Sequence, residues 1–183
     1  YGVEATDVGE RDRRKLLVRE LLVEFLDVFA KDPMIPGLSD FEPMSLVMND
    51  DFNGKPIRQA PYRTTPLYRD FIAEQVEKLL KAGSLRPGYG PWASPVAVVR
   101  HPSSKLRMIC DFRRCNLVCK ADAHPLPDFE VIMQSLAGMK FFSCVDMCSG
   151  YHQMGLDDKA REMLAITTHL GLFEWTVTPF GAS

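Results

Sequence analysis

Asp146 is the residue whose type and setting are best suited to chemistry. It closes an apolar run, Phe141-Phe-Ser-Cys-Val145, and precedes Met147-Cys-Ser-Gly-Tyr151. The run reads as a buried strand over Lys140–Val145. An aspartate at the end of such a strand, facing a turn, is placed to hold Mg²⁺ with a substrate triphosphate. That ion takes one or two carboxylates and fills its remaining positions with phosphate oxygen and water. In a pair of such ions, one activates an attacking hydroxyl and the other stabilises a leaving pyrophosphate. A strand-ending aspartate also serves simply to cap the next turn. On these residues alone the plainer role is the stronger.

Cys110, Cys115 and Cys119, with His124 nearby, have the residue types of a zinc site. Their spacing lacks a paired C-x₂-C knuckle, so free thiols are the better reading. Five cysteines, an odd number in a chain without a secretion signal, suit a reducing cytosolic or nuclear setting. No apolar run approaches the ~20 residues that cross a bilayer, so no membrane partner is expected.

The elements that must position these residues follow from periodicity and punctuation. Residues 12–30 place Leu16, Leu17, Leu21, Leu22, Phe25, Leu26 and Phe29 among charges, which predicts an amphipathic helix burying one stripe and stopping near Asp32-Pro33. It is too short for several heptads of coiled coil. Residues 33–43 read as a linker, and Phe41 to Met48 as a short strand. Thr65-Pro66 opens a second helix that reaches Gly83. After a Pro- and Gly-rich stretch, Val96–Arg100 and Leu106–Asp111 predict a hairpin across His101-Pro-Ser-Ser-Lys105. A helix over 128–137 and a second hairpin over 163–169 and 172–178 complete a mixed α+β order.

A net charge of −2 hides segregation. Residues 1–54 carry 6 basic and 12 acidic side chains, residues 55–120 carry 13 and 4, and residues 121–183 carry 3 and 8. The basic middle suits a polyanion, or it is a solvated surface; charge alone leaves both open.

Phe142-Ser-Cys-Val-Asp-Met-Cys-Ser-Gly-Tyr-His-Gln153 resembles the first catalytic motif of gypsy-type reverse transcriptases. In order around it stand Leu85-Arg-Pro87, Ser94 and Pro95, Leu106-Arg-Met-Ile-Cys-Asp-Phe-Arg113 with Asn116, Pro125-Leu-Pro127, Gly171-Leu-Phe-Glu-Trp175 and Pro179-Phe-Gly181. Upstream, Phe25-Leu-Asp-Val-Phe29 resembles the lead-in to such domains. Several motifs in the right order are far more specific than one. The resemblance covers residues 20–183 or so. It implies a right-hand polymerase, with an N-terminal helix and linker over 1–43 and reverse transcriptase fingers plus an incomplete palm over 44–183.

The resemblance also implies roles. Asp146 is the first of three metal-binding carboxylates, and the Met147 carbonyl helps hold the same Mg²⁺ (or Mn²⁺). The N–H groups of Ser149 and Gly150 face the triphosphate of the dNTP. Tyr151 is a steric gate whose ring leaves no room for a 2′-OH, unless it is an ordinary half-buried aromatic. Arg107 and Arg100 grip the triphosphate, since guanidinium forks onto phosphate oxygens. Arg58, Arg63, Arg69, Lys78, Lys81, Arg86, Lys105, Arg113 and Arg114 are candidates for template contact, most of them as ordinary surface charges. The partners are an RNA or DNA template with its primer, dNTP, and the rest of a Pol polyprotein. The compartment is a cytoplasmic virus-like particle or the nucleus.

The sequence departs from the family in places. Arg100 stands where lysine is usual, Met163 where lysine is common, and His101-Pro-Ser-Ser replaces a more basic tip. Leu164-Ala-Ile-Thr-Thr-His169 replaces a Thr-Ala-Phe-Arg-Thr pattern. Asp157-Asp158 is too close to Asp146 to be the family's Tyr-x-Asp-Asp pair and reads as a solvated turn. No Tyr-x-Asp-Asp follows Pro-Phe-Gly in the 183 residues. The chain reads as a polymerase fragment, with a non-enzymatic nucleic-acid-binding remnant as the alternative and an unfolded, functionless remnant beyond that. One aspartate cannot hold two Mg²⁺ for in-line attack, so the 183 residues by themselves are expected not to extend a primer. Extension above an Asp146→Asn control would count against this.

Overall fold

A computed structural model describes residues 8–31, 37–100, 102, 105–121, 125 and 127–182. The chain forms two compact units, Tyr1–Ile35 and Pro36–Ser183. In the first, helix α1 covers Val8–Glu24 and a 3₁₀ turn covers Leu26–Val28. The helix forms, but the expected buried stripe does not. Leu16, Leu17, Leu21, Leu22, Phe25, Leu26 and Phe29 are all exposed. The reason lies in the spacing: Leu16-Leu-Val18 and Leu21-Leu-Val23 are consecutive triplets, and residues ~100° apart wrap around the helix instead of lining one face. The expected stop at Asp32-Pro33 lies outside the described residues.

In the second unit, α2 runs Pro66–Lys81 where its punctuation places it. The Thr65 hydroxyl accepts a hydrogen bond from the Tyr68 N–H at 3.4 Å, and Pro66 fills a first-turn position where no donor is needed. Gly83 at φ +74 supplies the left-handed step that ends it. Glu74–Lys78 and Glu77–Lys81, both at 2.6 Å, lace its outer face, while Ile72 and Val76 are buried. Helix α3 is one turn, Arg113–Asn116, and α4 covers Phe129–Ser135, capped by the Asp128 carboxylate accepting from the Glu130 N–H at 2.8 Å. Helix α5 covers Asp158–Met163.

Five strands make one sheet: β1 Leu85–Pro87, β2 Ser94–Arg100, β3 Leu106–Cys110, β4 Ile166–Thr168 and β5 Gly171–Trp175, in the order β1-β5-β4-β2-β3. Both predicted hairpins are present, β2–β3 and β4–β5, the second shorter than expected because Met163 ends α5 and residues 176–178 lie beyond β5. They meet through a short parallel pairing, Ser94 with Ile166 and Pro95 with Thr167. Gly88 in the loop after β1 lies against β5; a Cβ there would sit 2.9 Å from Glu174 Cγ and 3.2 Å from the Phe173 carbonyl carbon. The core gathers Val76, Phe112, Cys115, Leu156, Met163, Leu164 and Ile166. Among the described residues no helix is long and apolar enough to cross a membrane.

Two expected strands are absent. Phe41–Met48 makes only isolated pairings, Met44 with Leu156 and Met48 with Cys119. Lys140–Val145 is neither strand nor buried: it is irregular and exposed as far as Met147. A strand needs a neighbour for its N–H and C=O groups, and no described strand pairs with this segment. Its apolar composition therefore produces surface instead of core.

Burial ranks substitutions accordingly. Leu156→Ala, at a fully buried position, is expected to cost about 2–5 kcal/mol. Val131→Ala on exposed α4 should stay within about 0.5 kcal/mol. Urea unfolding of the two variants distinguishes them, and equal losses would refute this assignment of the core.

Candidate functional site

The turn that follows Asp146 is closely constrained. Among the described residues Ser149 is the one non-glycine with positive φ, at φ 48 and ψ 48. Such a conformation costs about 1–2 kcal/mol for a residue with a Cβ. Its surroundings hold it there. It opens a 3₁₀ turn, Gly150–Gln153, in which the His152 N–H donates to the Ser149 carbonyl at 2.8 Å and the Met154 N–H to the Tyr151 carbonyl at 3.1 Å. The Gln153 side-chain amide donates back to the Cys148 carbonyl at 2.8 Å. Beyond the turn, the Ser39, Thr178 and Met44 N–H groups donate to the carbonyls of Gln153, Met154 and Gly155 at 2.7–2.8 Å. Gly150 lies against Met147: a Cβ there would be 3.3 Å from Met147 Cβ.

Two aromatic contacts orient the turn. Tyr151 meets Phe180 edge-on, centroids 5.4 Å apart and planes at 89°. His152 packs on Trp175 at 5.4 Å, and its burial lowers the imidazole pKa, favouring the neutral ring. Phe180 was legible as part of Pro-Phe-Gly, but nothing in the spacing joins it to Tyr151, 29 positions earlier.

Asp146 and Met147 themselves are exposed on the irregular segment. A carboxylate and a main-chain carbonyl are hard oxygen donors of the kind Mg²⁺ takes. The donor type fits; the number is small, since no group of three or more His, Cys, Asp or Glu able to hold a metal occurs among the described residues.

Arg107 and Arg100 are exposed on the β2–β3 ribbon. Arg107 pairs across from Val99, and Arg100 across from Leu106. Directly paired residues share a face and successive residues alternate, so the two arginines lie on opposite faces of the ribbon. Arg107 shares its face with exposed Val99 and Ile109. Arg100 extends the row of Val98 and Met108, which pack against the core.

Beside β3 stands a network that the sequence did not indicate. The Arg113 guanidinium donates through Nε to Asp111 Oδ1 at 2.8 Å and through Nη2 to Oδ2 at 2.7 Å, a forked pair. The Tyr62 hydroxyl donates to the same Oδ2 at 2.6 Å. Arg113 first and Tyr62 second hold the Asp111 carboxyl well below the usual range, and the same bond raises the Tyr62 phenol. Forty-nine positions separate Tyr62 from Asp111, and no local pattern links them. Asn116 also has a place: its side-chain amide donates to the Gly181 carbonyl at 2.9 Å, tying Pro-Phe-Gly to α3.

The remaining candidates sort plainly. Asp157 is a helix cap, its Oδ1 accepting from the Ala160 N–H at 2.6 Å, while the exposed Asp158 pairs with Arg161. The turn is therefore less solvated at Asp157 than its sequence suggests. Burial pushes the Cys110 and Cys115 thiols up to about 12 and raises Cys119, so all three stay protonated. His124 lies outside the described residues. Of the basic residues considered for template, Lys78, Lys81, Arg86 and Arg113 are tied to carboxylates.

Comparison with known proteins agrees with this arrangement. A profile of the family described as "Reverse transcriptase (RNA-dependent DNA polymerase)" matches residues 99–183. The Retrovirus-related Pol polyprotein from transposon 412 of Drosophila melanogaster is 31% identical over 173 residues, covering 91% of this chain and 14% of that protein. Its counterpart from transposon gypsy of the same organism is 33% identical over 135 residues, covering 70% of this chain and 13% of its own length. The chain thus spans a small part of these relatives. Among solved structures, the Prototype Foamy Virus Protease-Reverse Transcriptase superposes with a TM-score of 0.77 at 21% identity, over 94% of this chain and 23% of that one. The foamy viral protease-reverse transcriptase in complex with RNA/DNA hybrid gives 0.73 at 17% identity, over 98% and 23%.

The Asp111 network makes a pH prediction. A carboxyl whose pKa is lowered by folding stabilises the fold above its unfolded value of about 4, and that contribution fades as pH falls below it. Arg113→Gln is expected to destabilise the protein at pH 7, with the gap from the parent narrowing progressively below about pH 4. Urea midpoints at pH 7, 5 and 2.5 measure this. A gap of constant size would show that the carboxylate is not its source.

Proposed function

The chain belongs to the reverse transcriptase family, and from that premise we propose that it is part of an RNA-directed DNA polymerase in the Pol polyprotein of a gypsy-type retrotransposon. The reaction transfers a nucleotide from dNTP to a primer 3′-OH. Residues 44–183 form the fingers and part of the palm. The observation that carries this reading is the Asp146–Tyr151 turn, which holds a left-handed Ser149 and an edge-on Tyr151 in place directly after the one candidate metal-binding carboxylate.

Asp146 and the Met147 carbonyl are the groups that would hold Mg²⁺. When bound, that ion supplies charge neutralisation at the triphosphate and activation of the primer hydroxyl. The chain's own residues bind and orient. The N–H groups of Ser149 and Gly150 face phosphate oxygen, and Arg107 forks onto it from the exposed side of the ribbon. Arg100, on the ribbon's other face, reaches phosphate only from the tip, so Arg107 carries more of the grip. Tyr151, braced by Phe180, sits beneath the incoming sugar and rejects a 2′-OH by overlap. The template is RNA or DNA, and the foamy viral relative solved with an RNA/DNA hybrid supports that choice. The site of action is a cytoplasmic virus-like particle or the nucleus.

A chimera tests the reading: this chain replaces the matching segment of the transposon 412 reverse transcriptase, and oligo(dT) extension on poly(rA) is measured. The chimera is expected to extend the primer, and Asp146→Asn to reduce the rate by at least on the order of 10²–10³. Tyr151→Ala should raise ribonucleotide incorporation relative to deoxyribonucleotide. Full activity in the Asp146→Asn chimera would overturn the assignment of the carboxylate, and unchanged sugar selectivity that of the gate.

A further inference from the structure

Helix α1 exposes more apolar surface than a helix in water sustains. Ten large apolar side chains between Leu16 and Phe29 are 46–72% exposed, whereas the largest apolar patch of a typical monomer is about 300–600 Å² and is commonly functional. Within this ring, Leu17, Val18, Leu21 and Leu22 stand at i, i+1, i+4 and i+5 and form one continuous face. Phe25 continues it: its N–H donates to the Leu21 carbonyl at 3.2 Å, carrying the helical turn past Glu24. Leu16 and Val23 lie on the opposite side. The five side chains of the face are each about half exposed. Two copies of it would bury roughly 1,000 Å² between them, the lower end of what a specific interface needs.

The charges around this face say what would cover it. Residues 11–19 carry five basic side chains and one acidic, and residues 20–27 carry three acidic and none basic. That order opposes the helix's own dipole, which favours carboxylates near the N-terminus and cations near the C-terminus. Glu24 occupies the last turn with no basic residue beside it. Glu20, Glu24 and Asp27 form no ion pair among the described residues. An uncharged partner would leave both ends of the helix unmatched. A parallel second copy would set basic against basic and acidic against acidic. An antiparallel second copy sets the 11–19 end beside the 20–27 end twice over, and brings each helix's carbonyl end next to cations. Seventeen residues are too few for several heptads, but two helices crossing at their middle need only one shared face.

We propose that α1 is a self-association surface. It pairs antiparallel with α1 of a second copy of this chain, with Leu17, Val18, Leu21, Leu22 and Phe25 meeting their equivalents across a two-fold axis. The inference stands apart from the Asp146 reading, because it requires no nucleotidyl transfer.

Sedimentation equilibrium of the 183-residue chain tests it, between about 1 and 100 μM, since an interface this small is expected to dissociate in the micromolar range. The mass should rise with concentration from 20.7 kDa toward twice that value. Leu17→Glu/Leu21→Glu is expected to weaken association about tenfold or more. Val131→Glu/Met133→Glu, on the equally exposed α4, should stay within about twofold. Arg11→Glu/Arg13→Glu and Glu24→Arg/Asp27→Arg should each weaken association about tenfold, because like charges then meet across the pair. All four changes in one chain should restore it to within about threefold of the parent, because both ends are then exchanged. These reversals suit the helix dipole, so a loss from either does not come from melting α1; far-UV circular dichroism checks this for every variant. A mass of 20.7 kDa at all concentrations would overturn the proposal and leave the face to a different partner. Association indifferent to Leu17→Glu/Leu21→Glu would overturn it too, as would single-end reversals that strengthen association or a four-site variant no better than they are. None of these readouts involves primer extension, so failure here leaves the polymerase reading untouched.

Discussion

The second unit is joined by a parallel pairing only two residues long, Ser94-Pro95 beside Ile166-Thr167. On one side of it lies the β2–β3 ribbon with its arginines, and on the other the β4–β5 hairpin, whose Trp175 supports the His152 turn. So short a ladder has few hydrogen bonds of its own, among them the Ser94 N–H to the Ala165 carbonyl at 2.9 Å. Its strength comes from burial. Leu164, Ala165 and Ile166 are fully enclosed, Ser94 is nearly so, and the surrounding core excludes the water that would compete for those bonds. Pro95 fits because only its carbonyl is needed, accepting from the Asp111 N–H at 2.9 Å. That bond also sets the Asp111 backbone, and with it the carboxylate that Tyr62 and Arg113 share.

The same junction explains how a strained turn persists far from regular structure. The left-handed Ser149 would relax on its own. It is held because the residues just after the turn are bonded to two separate strips of chain, one through the N–H groups of Ser39 and Met44 and the other through that of Thr178. Phe180 and Trp175 add aromatic contacts from the C-terminal side. The C-terminal strip is anchored in turn, Thr178 by burial and its Gly181 end by the amide of Asn116. The site is therefore built from the core outward on one flank. The other flank, Lys140–Met147, has no such support and is exposed.

Charge follows a similar division. Thirteen basic residues in the middle segment suggested a broad positive surface. In the fold many are neutralised by carboxylates brought from elsewhere, Glu174 to Arg86 and Asp50 to Lys120, or from the next helical turn. Of the rest, Lys55, Arg58 and Arg114 lie near one another and Arg100 and Arg107 stand on the β2–β3 ribbon, while Arg63 and Arg69 are likewise without an ion pair among the described residues. Exposed pairs of this sort add little stability, but they decide where the remaining positive charge is available to an anion.

How much of this was legible beforehand depended on whether the signal was local. Helix α2 follows from Thr65, Pro66 and Gly83, because caps act within one turn of the chain. The β2–β3 and β4–β5 hairpins follow from short apolar runs separated by turn residues, and the family resemblance follows from motifs each a few residues long. Asp146, Tyr151 and the arginines could be named from these. Three things could not. That residues 140–147 would be surface depended on whether another strand lay alongside, and strand pairing is a non-local property. That Arg107 and Arg100 face opposite ways was set by hairpin register, where one residue of slip exchanges the faces. The contacts of Tyr62 with Asp111 and of Tyr151 with Phe180 join residues 49 and 29 positions apart, and only the packing of the whole sheet brings them within reach.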